Sequence, residues 1–111
     1  MPFRSIEARD GLEALQALKA MEKPPALLVV DVDMPRMDGF QLVAALRKIE
    51  RYENLPVVMI SSRTGNSYRH RAHKLGVVAY LGKPYQADEL VAIMRSLGLA
   101  NKQSQEPVLP S

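Results

Sequence analysis

The sequence predicts an α/β fold in which helices pack against a parallel β-sheet. Short, continuous apolar runs alternate along the chain with segments of helical periodicity, in the order β-α-β-α-β-α-β-α. These apolar runs lack polar alternation, which is typical of parallel strands buried on both faces. With 111 residues, of which 47% are hydrophobic, the chain can form one domain with a modest core.

The first predicted strand and helix occupy the start of the chain. Residues 3–8 form a short strand, and Asp10 and Glu13 then have the spacing of a helix capping box. Prolines 24 and 25 end this helix. Its predicted apolar side consists of Leu12, Leu15, Leu18 and Met21.

A buried strand at residues 26–30 comes next and ends at Asp31. Residues 33–39 form a loop that contains proline and glycine, and a helix starts near Phe40. The apolar positions of this helix are Leu42, Leu46 and Ile49.

The second half of the chain repeats the alternation twice. Pro56 opens a buried strand at residues 57–61, and a short polar helix follows up to Leu75. Gly76 has the position of a glycine that terminates a helix. Residues 77–81 form a third buried strand.

The last helix covers residues 87–97, and Pro84 leads into it. Its apolar positions are Leu90, Ile93, Met94 and Leu97. Residues 100–111 are polar and contain two prolines, so we expect a domain at residues 1–99 and a flexible tail after it.

The composition argues against several classes of protein. The chain has no cysteine, which excludes disulfides and thiolate metal sites. A net charge of +3 is too small to indicate direct binding to nucleic acid. No apolar run approaches the length of a membrane span and no signal peptide opens the chain, so we expect a cytoplasmic location.

Polar residues follow three consecutive buried strands: Asp31, Ser61 and Lys83. The carboxyl ends of parallel strands meet at one edge of a sheet, so these side chains should converge. A carboxylate can act as a nucleophile and form an acyl phosphate, while a lysine and a hydroxyl hold phosphate oxygens. Such chemistry normally requires a divalent metal ion. Taken singly, each residue could instead cap a helix, satisfy a turn or face solvent.

Three segments resemble the response-regulator receiver (CheY-like) family. Residues 31–39 resemble the D-x-x-M-P-x-M-D-G segment of that family, residues 56–62 its serine or threonine strand, and residues 80–85 its lysine-proline segment. The resemblance covers about residues 3–99 and implies a flavodoxin-like (CheY-like) parallel sheet. Residues 60–65 and 80–85 are also similar to the receivers of CheA-type hybrid histidine kinases in type IV pilus chemosensory systems.

The resemblance implies roles for individual residues. Asp31 would take a phosphoryl group from a phosphohistidine of a histidine kinase or phosphotransfer domain, and Ser61 and Lys83 would bind it. Tyr80 matches the switch aromatic, although a half-buried strand tyrosine is an equal alternative. The Lys83–Pro84 peptide bond would be cis.

The resemblance also implies a magnesium site, and the positions of two charged residues predict a role in the reaction rate. Asp31 and the backbone carbonyl of Asp33 would bind Mg²⁺. Asp33 and Arg63, each two residues beyond a site residue, would set the lifetime of the phosphoryl group, and their opposite charges could pair.

The family pattern fails at the start of the chain. The first strand of the family, which ends in a pair of metal-binding acids, and the first helix are both lacking. We therefore expect a receiver domain that is incomplete at its N-terminus and binds Mg²⁺ weakly or not at all. If residues 3–8 paired directly with residues 26–30, Val29 and Val57 would stay partly open to solvent. If the two segments did not pair, the strand at residues 26–30 would have an unpaired edge. Either arrangement predicts a homodimer.

Two other functions fit part of this pattern. Asp31 and Asp33 also resemble the D-x-D nucleophile motif of haloacid-dehalogenase (HAD)-like phosphatases, but those need acidic metal ligands after the lysine strand. Here Pro84 and a helix follow Lys83 directly. The third alternative is an interaction module that is never phosphorylated.

The predicted third helix carries two weaker signals. His70 and His73 share a face and could bind a metal, but solvent-exposed histidines are the simpler interpretation without a third ligand. This region is also basic. A basic face could contact the phosphate backbone of a nucleic acid, but a face exposed to solvent or bound to a partner protein is the simpler interpretation. Its basic residues are Arg63, Arg69, Arg71 and Lys74.

Overall fold

Three parallel strands form the sheet, and their spatial order equals their order in the chain. The computed structural model describes residues 10–98. The strands are β1 (Leu28–Asp31), β2 (Val57–Ser61) and β3 (Ala79–Gly82). The helices are α1 (Gly11–Lys19), α2 (Gly39–Arg47), α3 (Asn66–Lys74) and α4 (Ala87–Ser96), with a short 3-10 helix at Glu50–Tyr52. The predicted α/β fold with a parallel sheet is therefore confirmed. The predicted strand at residues 3–8 and the predicted tail at residues 100–111 lie outside the described residues.

The sheet separates two hydrophobic layers. Its first face packs with buried residues of α1, α2 and α3, and α4 covers its second face. The first layer is centred on Leu28, Val30, Val57, Met59, Leu18, Phe40, Leu46 and Ala72. The second layer consists of Leu27, Val29, Val58, Ile60, Leu90 and Met94. Strands that are apolar on both faces, as the sequence predicted, are what this arrangement requires.

Val29 and Val57, which were expected to stay partly open if residues 3–8 paired directly with residues 26–30, are both buried. Val29 is only 3% exposed and Val57 is 0% exposed. The strands are paired so that Val29 lies beside Val58 and Leu28 beside Val57, which puts Val29 and Val57 on opposite faces. One helix, α4, is enough to bury Val29, because Leu90 and Met94 pack in the same layer.

The predicted capping box at the start of α1 is only half formed. Asp10 accepts a hydrogen bond from the backbone N–H of Glu13 (3.0 Å), but its other oxygen accepts from Nε of Arg36 (2.8 Å). The reciprocal box occurs at α2, where the Asp38 and Gln41 side chains each accept the other's backbone N–H. Leu12, placed by the sequence on the apolar side of α1, is 40% exposed.

The strand boundaries shift by one or two residues from the predicted ones. β1 extends to Asp31, and β3 begins at Ala79 instead of residue 77. Gly76 follows α3 with φ of 73°, the left-handed conformation expected of a glycine that ends a helix. No helix within residues 10–98 is long and apolar enough to cross a membrane.

Candidate functional site

The carboxyl ends of the three strands bring Asp31, Ser61 and Lys83 together. Nζ of Lys83 lies 2.8 Å from Oδ2 of Asp31. The backbone N–H of Lys83 donates to the carbonyl of Ser61 over 2.9 Å, which fixes the end of β3 beside the end of β2. The structure thus places all three predicted residues in one site.

Close packing between β1 and α2 positions Asp31. A Cβ atom at Gly39 would lie 2.8 Å from the Cα of Val32, so only glycine lets α2 begin this close to the strand. The Asp31 carboxylate accepts the backbone N–H of Asp33 over 2.8 Å. Its side chain is 29% exposed. It is therefore held in place but remains open to a reaction partner.

Asp33 contributes its side chain to the site, in addition to the backbone carbonyl that was expected to bind a metal ion. Its carboxylate accepts hydrogen bonds from Oγ of Ser61 (3.1 Å) and from both the N–H (2.9 Å) and Oγ (3.0 Å) of Ser62. Nζ of Lys83 lies 3.3 Å away. Asp33 therefore connects the loop after β1 to the end of β2 and to the loop after β3.

Ser62 is the site residue that the sequence analysis missed. It gives Asp33 two hydrogen bonds, one from the backbone and one from the side chain. The signal that could have revealed it is the pair of serines at the end of the second buried strand. Only Ser61, the residue that ends the strand, was predicted to belong to the site.

The hydrogen bonds at this site shift the acidity of two groups. Desolvation raises the pKa of Asp33, but hydrogen bonds from Ser62, Ser61 and Lys83 outweigh it and lower that pKa to about 2. The hydrogen bond to Asp31 raises the pKa of Lys83 against an opposing effect of desolvation. The site therefore contains two carboxylates that share one ammonium group.

Lowering the pH should reduce the stability of the fold, because the Asp33 carboxylate becomes protonated. Its pKa of about 2 in the folded chain lies below the ordinary value of 3.8. The stabilisation is therefore complete above about pH 4 and is lost as the pH falls towards about 2. We expect the free energy of unfolding to drop more steeply for the wild type than for Asp33→Asn over this interval. Urea unfolding at several pH values measures both curves, and parallel curves would contradict the assignment.

Arg63 does not pair with Asp33 as the sequence suggested. The ion-pair partner of Asp33 is Lys83, and the guanidinium of Arg63 lies 5.9 Å from the centre of the Tyr68 ring. The physical reason is that Asp33 turns towards the strand ends, where four donors surround its carboxylate. The backbone N–H of Arg63 instead donates to Oγ of Ser61 over 3.0 Å.

Tyr80 points inward and is only 8% exposed. Its hydroxyl donates to the carbonyl of Arg63 over 2.5 Å, and its ring stacks on Phe40 with centroids 6.3 Å apart. The Lys83–Pro84 peptide bond is cis, the isomer that the resemblance implied. Tyr80 therefore connects β3 to the loop that follows Ser61.

The described residues offer an incomplete set of ligands for a divalent metal ion. Asp31 and Asp33 supply carboxylate oxygens, but Lys83 already neutralises part of their charge. Within residues 10–98, no three side chains of His, Cys, Asp or Glu come together as a metal site, so His70 and His73 lack a third ligand there. Mg²⁺ prefers near-octahedral oxygen coordination anchored by carboxylates, and this part of the chain does not provide all of it.

The basic residues around α3 are partly engaged with aromatic rings. The guanidinium of Arg69 lies 5.4 Å from the centre of the Tyr80 ring, and that of Arg71 lies 4.3 Å from the centre of the Phe40 ring. Arg69 also donates to the backbone carbonyls of Thr64 and Tyr80. These arginines therefore pack against the stacked rings of Phe40 and Tyr80 as well as carrying charge.

Comparison with known sequences gives matches over most of the chain. A family model described as the response regulator receiver domain matches residues 3–95. The sensor histidine kinase CheAY of Helicobacter pylori is 37% identical over 100 residues. This match covers 89% of the chain but only 12% of that kinase.

Solved structures give matches of the same kind. The chemotaxis protein CheY4 of Vibrio cholerae has a TM-score of 0.71 and 28% identity, covering 81% of this chain and 73% of that one. The receiver domain of the sensor histidine kinase PA1611 of Pseudomonas aeruginosa, solved with a magnesium ion in its active-site cleft, has a TM-score of 0.72. It covers 86% of this chain and 77% of its own, and its 22% identity indicates a common fold.

Proposed function

The chain belongs to the family of response regulator receiver domains, and from this premise we propose that Asp31 accepts a phosphoryl group from a phosphohistidine. One observation carries the proposal: Nζ of Lys83 lies 2.8 Å from the Asp31 carboxylate and 3.3 Å from the Asp33 carboxylate, which also accepts the hydroxyl of Ser61. The family consists in general of phosphoacceptor modules and not of enzymes. The donor would be a histidine kinase or a phosphotransfer domain.

The reaction transfers a phosphoryl group between two side chains. A carboxylate oxygen of Asp31 attacks phosphorus, and the new O–P bond forms as the N–P bond of the donor histidine breaks. The electron pair of that bond returns to the imidazole nitrogen. Lys83 then holds a phosphoryl oxygen through its positive charge, and Ser61 holds another through its hydroxyl.

Mapping the phosphoryl group tests the proposal. The chain is treated with acetyl phosphate and excess Mg²⁺ for an extended time, and the modified residue is located by mass spectrometry of borohydride-reduced peptides. We expect modification of Asp31 alone. Modification of Asp33 or Asp38 instead would contradict the proposal.

Two alternatives have less support. A HAD-like phosphatase would need acidic metal ligands after the lysine strand, whereas Lys83 is followed by Pro84 and then α4. The family match also favours a receiver. A receiver that serves only as an interaction module would keep the fold but acquire no acyl phosphate, so the mapping experiment separates it from the main proposal.

We expect weak magnesium binding by the 111-residue chain. When bound, Mg²⁺ would neutralise developing charge on the phosphoryl group, with the Asp31 carboxylate and the Asp33 backbone carbonyl as its ligands. Within the described residues, few other oxygen ligands accompany them. Isothermal titration calorimetry should give a dissociation constant in the millimolar range or above, on the order of 10⁻³ M. Micromolar binding would overturn this expectation.

Three further residues have proposed roles in signalling. Asp33 and Arg63 would set the lifetime of the acyl phosphate, since each lies two residues beyond Asp31 or Ser61. Tyr80 would act as the switch aromatic, and its inward side chain, bonded to the backbone of Arg63, supports that role. We also propose a cytoplasmic location and a chemosensory pathway of the type IV pilus kind, because residues 60–65 and 80–85 are similar to the receivers of CheA-type hybrid kinases in such systems.

We expect the chain to form a homodimer. β1 pairs with β2 along one edge, and in the described part of the chain no strand occupies its other edge. The backbone groups of a strand edge favour pairing with another chain. Light scattering at micromolar concentration should give the mass of two chains. A folded, monodisperse species with the mass of one chain would contradict the prediction.

A further inference from the structure

The donors that a phosphoryl group would need are already bound to another anion, the carboxylate of Asp33. Ser61 donates its only hydroxyl proton to that carboxylate over 3.1 Å. Ser62 donates its N–H and its hydroxyl to the same group, and Nζ of Lys83 lies 3.3 Å from it. By contrast, within residues 10–98 the Asp31 carboxylate accepts hydrogen bonds only from Nζ of Lys83 and the backbone N–H of Asp33.

We propose that Asp33 is an internal competitor, whose carboxylate occupies the anion-binding donors of Ser61, Ser62 and Lys83 until a phosphoryl group on Asp31 displaces it. The inference rests on the proposed function for the identity of the incoming anion.

Charge makes displacement necessary. Asp31 and Asp33 together carry two negative charges against the single positive charge of Lys83. Phosphorylation replaces the single negative charge of the Asp31 carboxylate with the roughly one and a half to two negative charges of a phosphoryl group at neutral pH. Like charges a few ångströms apart repel strongly at a partly desolvated site. The Asp33 carboxylate therefore leaves when the phosphoryl group takes the same donors.

The structure provides a path for the departing side chain. The Asp33 side chain is 23% exposed, so a change of its side-chain rotamer brings the carboxylate into solvent. Its backbone N–H can continue to bind the site residue Asp31 during this movement.

Displacement also releases a connection between two loops. The three hydrogen bonds from Ser61 and Ser62 join the loop after β1 to the loop after β2. In the second of these loops, the backbone carbonyl of Arg63 accepts a hydrogen bond from the hydroxyl of Tyr80. Occupation of the site by phosphate is thereby coupled to the position of this loop.

Inorganic phosphate can test the competition without any phosphoryl transfer. The probe is titrated into ¹⁵N-labelled Asp31→Asn and into the double variants Asp31→Asn/Asp33→Ala and Asp31→Asn/Asp33→Asn, all in EDTA, while the Ser62 amide resonance is followed by NMR. The Asp31→Asn background removes the nucleophile and its charge. Asp31→Asn/Asp88→Asn is the matched control, because Asp88 is exposed and lies on α4.

We expect loss of the Asp33 carboxylate to tighten phosphate binding by at least about tenfold, the equivalent of one net charge-assisted hydrogen bond. The Asp88→Asn control should change it much less. The Ser62 amide should shift on removal of Asp33 and shift again with phosphate. Equal affinities with and without Asp33, or no binding by any variant at tens of millimolar phosphate, would overturn the inference. Because Asp31 is absent throughout, failure of the proposed function is detected separately by the mapping experiment.

Discussion

The Asp31→Asn chain should lose phosphorylation by acetyl phosphate by at least about a hundredfold, because an amide oxygen cannot form a stable acyl phosphate. Asp31 ends β1, is partly exposed and lies next to the ammonium group of Lys83. The substitution changes few atoms and keeps the acceptor for the Asp33 backbone N–H. We expect the fold to persist, as measured by circular dichroism and urea unfolding.

Asp38→Asn is a matched control for this prediction. Asp38 lies in the same connection between β1 and α2, but its carboxylate caps α2 by accepting the N–H of Gln41 over 2.8 Å. Asparagine is also a good N-cap residue, so this variant should fold and should be phosphorylated at the wild-type rate. Undiminished phosphorylation of Asp31→Asn would show that another carboxylate is the acceptor.

The second large effect is expected at Lys83. The Lys83→Met chain should be phosphorylated roughly 10²–10³ times more slowly than the wild type, the usual cost of removing one preorganised group that stabilises developing charge. Lys83 is within 2.8 Å of Asp31 and 3.3 Å of Asp33. Without it, the two carboxylates would have no shared cation and would repel an incoming phosphoryl donor. The initial rate of acyl phosphate formation measures the effect.

Lys74→Met controls for the loss of one positive charge. Lys74 is exposed at the end of α3, and its replacement should leave the rate within about twofold, because exposed charges at a distance are screened by salt. Lys83→Arg keeps the charge but replaces a compact ammonium with a planar group, so its rate should be intermediate. A wild-type rate for Lys83→Met would contradict the role of Lys83 in the site.

The sequence alone was sufficient for the fold class and for three site residues. Apolar runs without alternation can be buried only on both faces of a sheet, and the order of elements then requires parallel strands. In a parallel sheet all carboxyl ends meet at one edge, so Asp31, Ser61 and Lys83 had to converge. The structure accordingly places Asp31 and Lys83 in direct contact.

Only the tertiary structure decided which side chains bind each other. Asp33 bonds to Ser62, 29 residues away in the chain, and Asp10 bonds to Arg36, 26 residues away. Local patterns describe backbone conformation and burial, whereas these contacts depend on how loops from different strands approach and which rotamers they select. The same limit applies to Val29 and Val57, which were expected to be open together but which the pairing register places on opposite faces of the sheet. The hydrogen bonds that Ser61 and Ser62 donate to Asp33 follow from this packing and from no local signal.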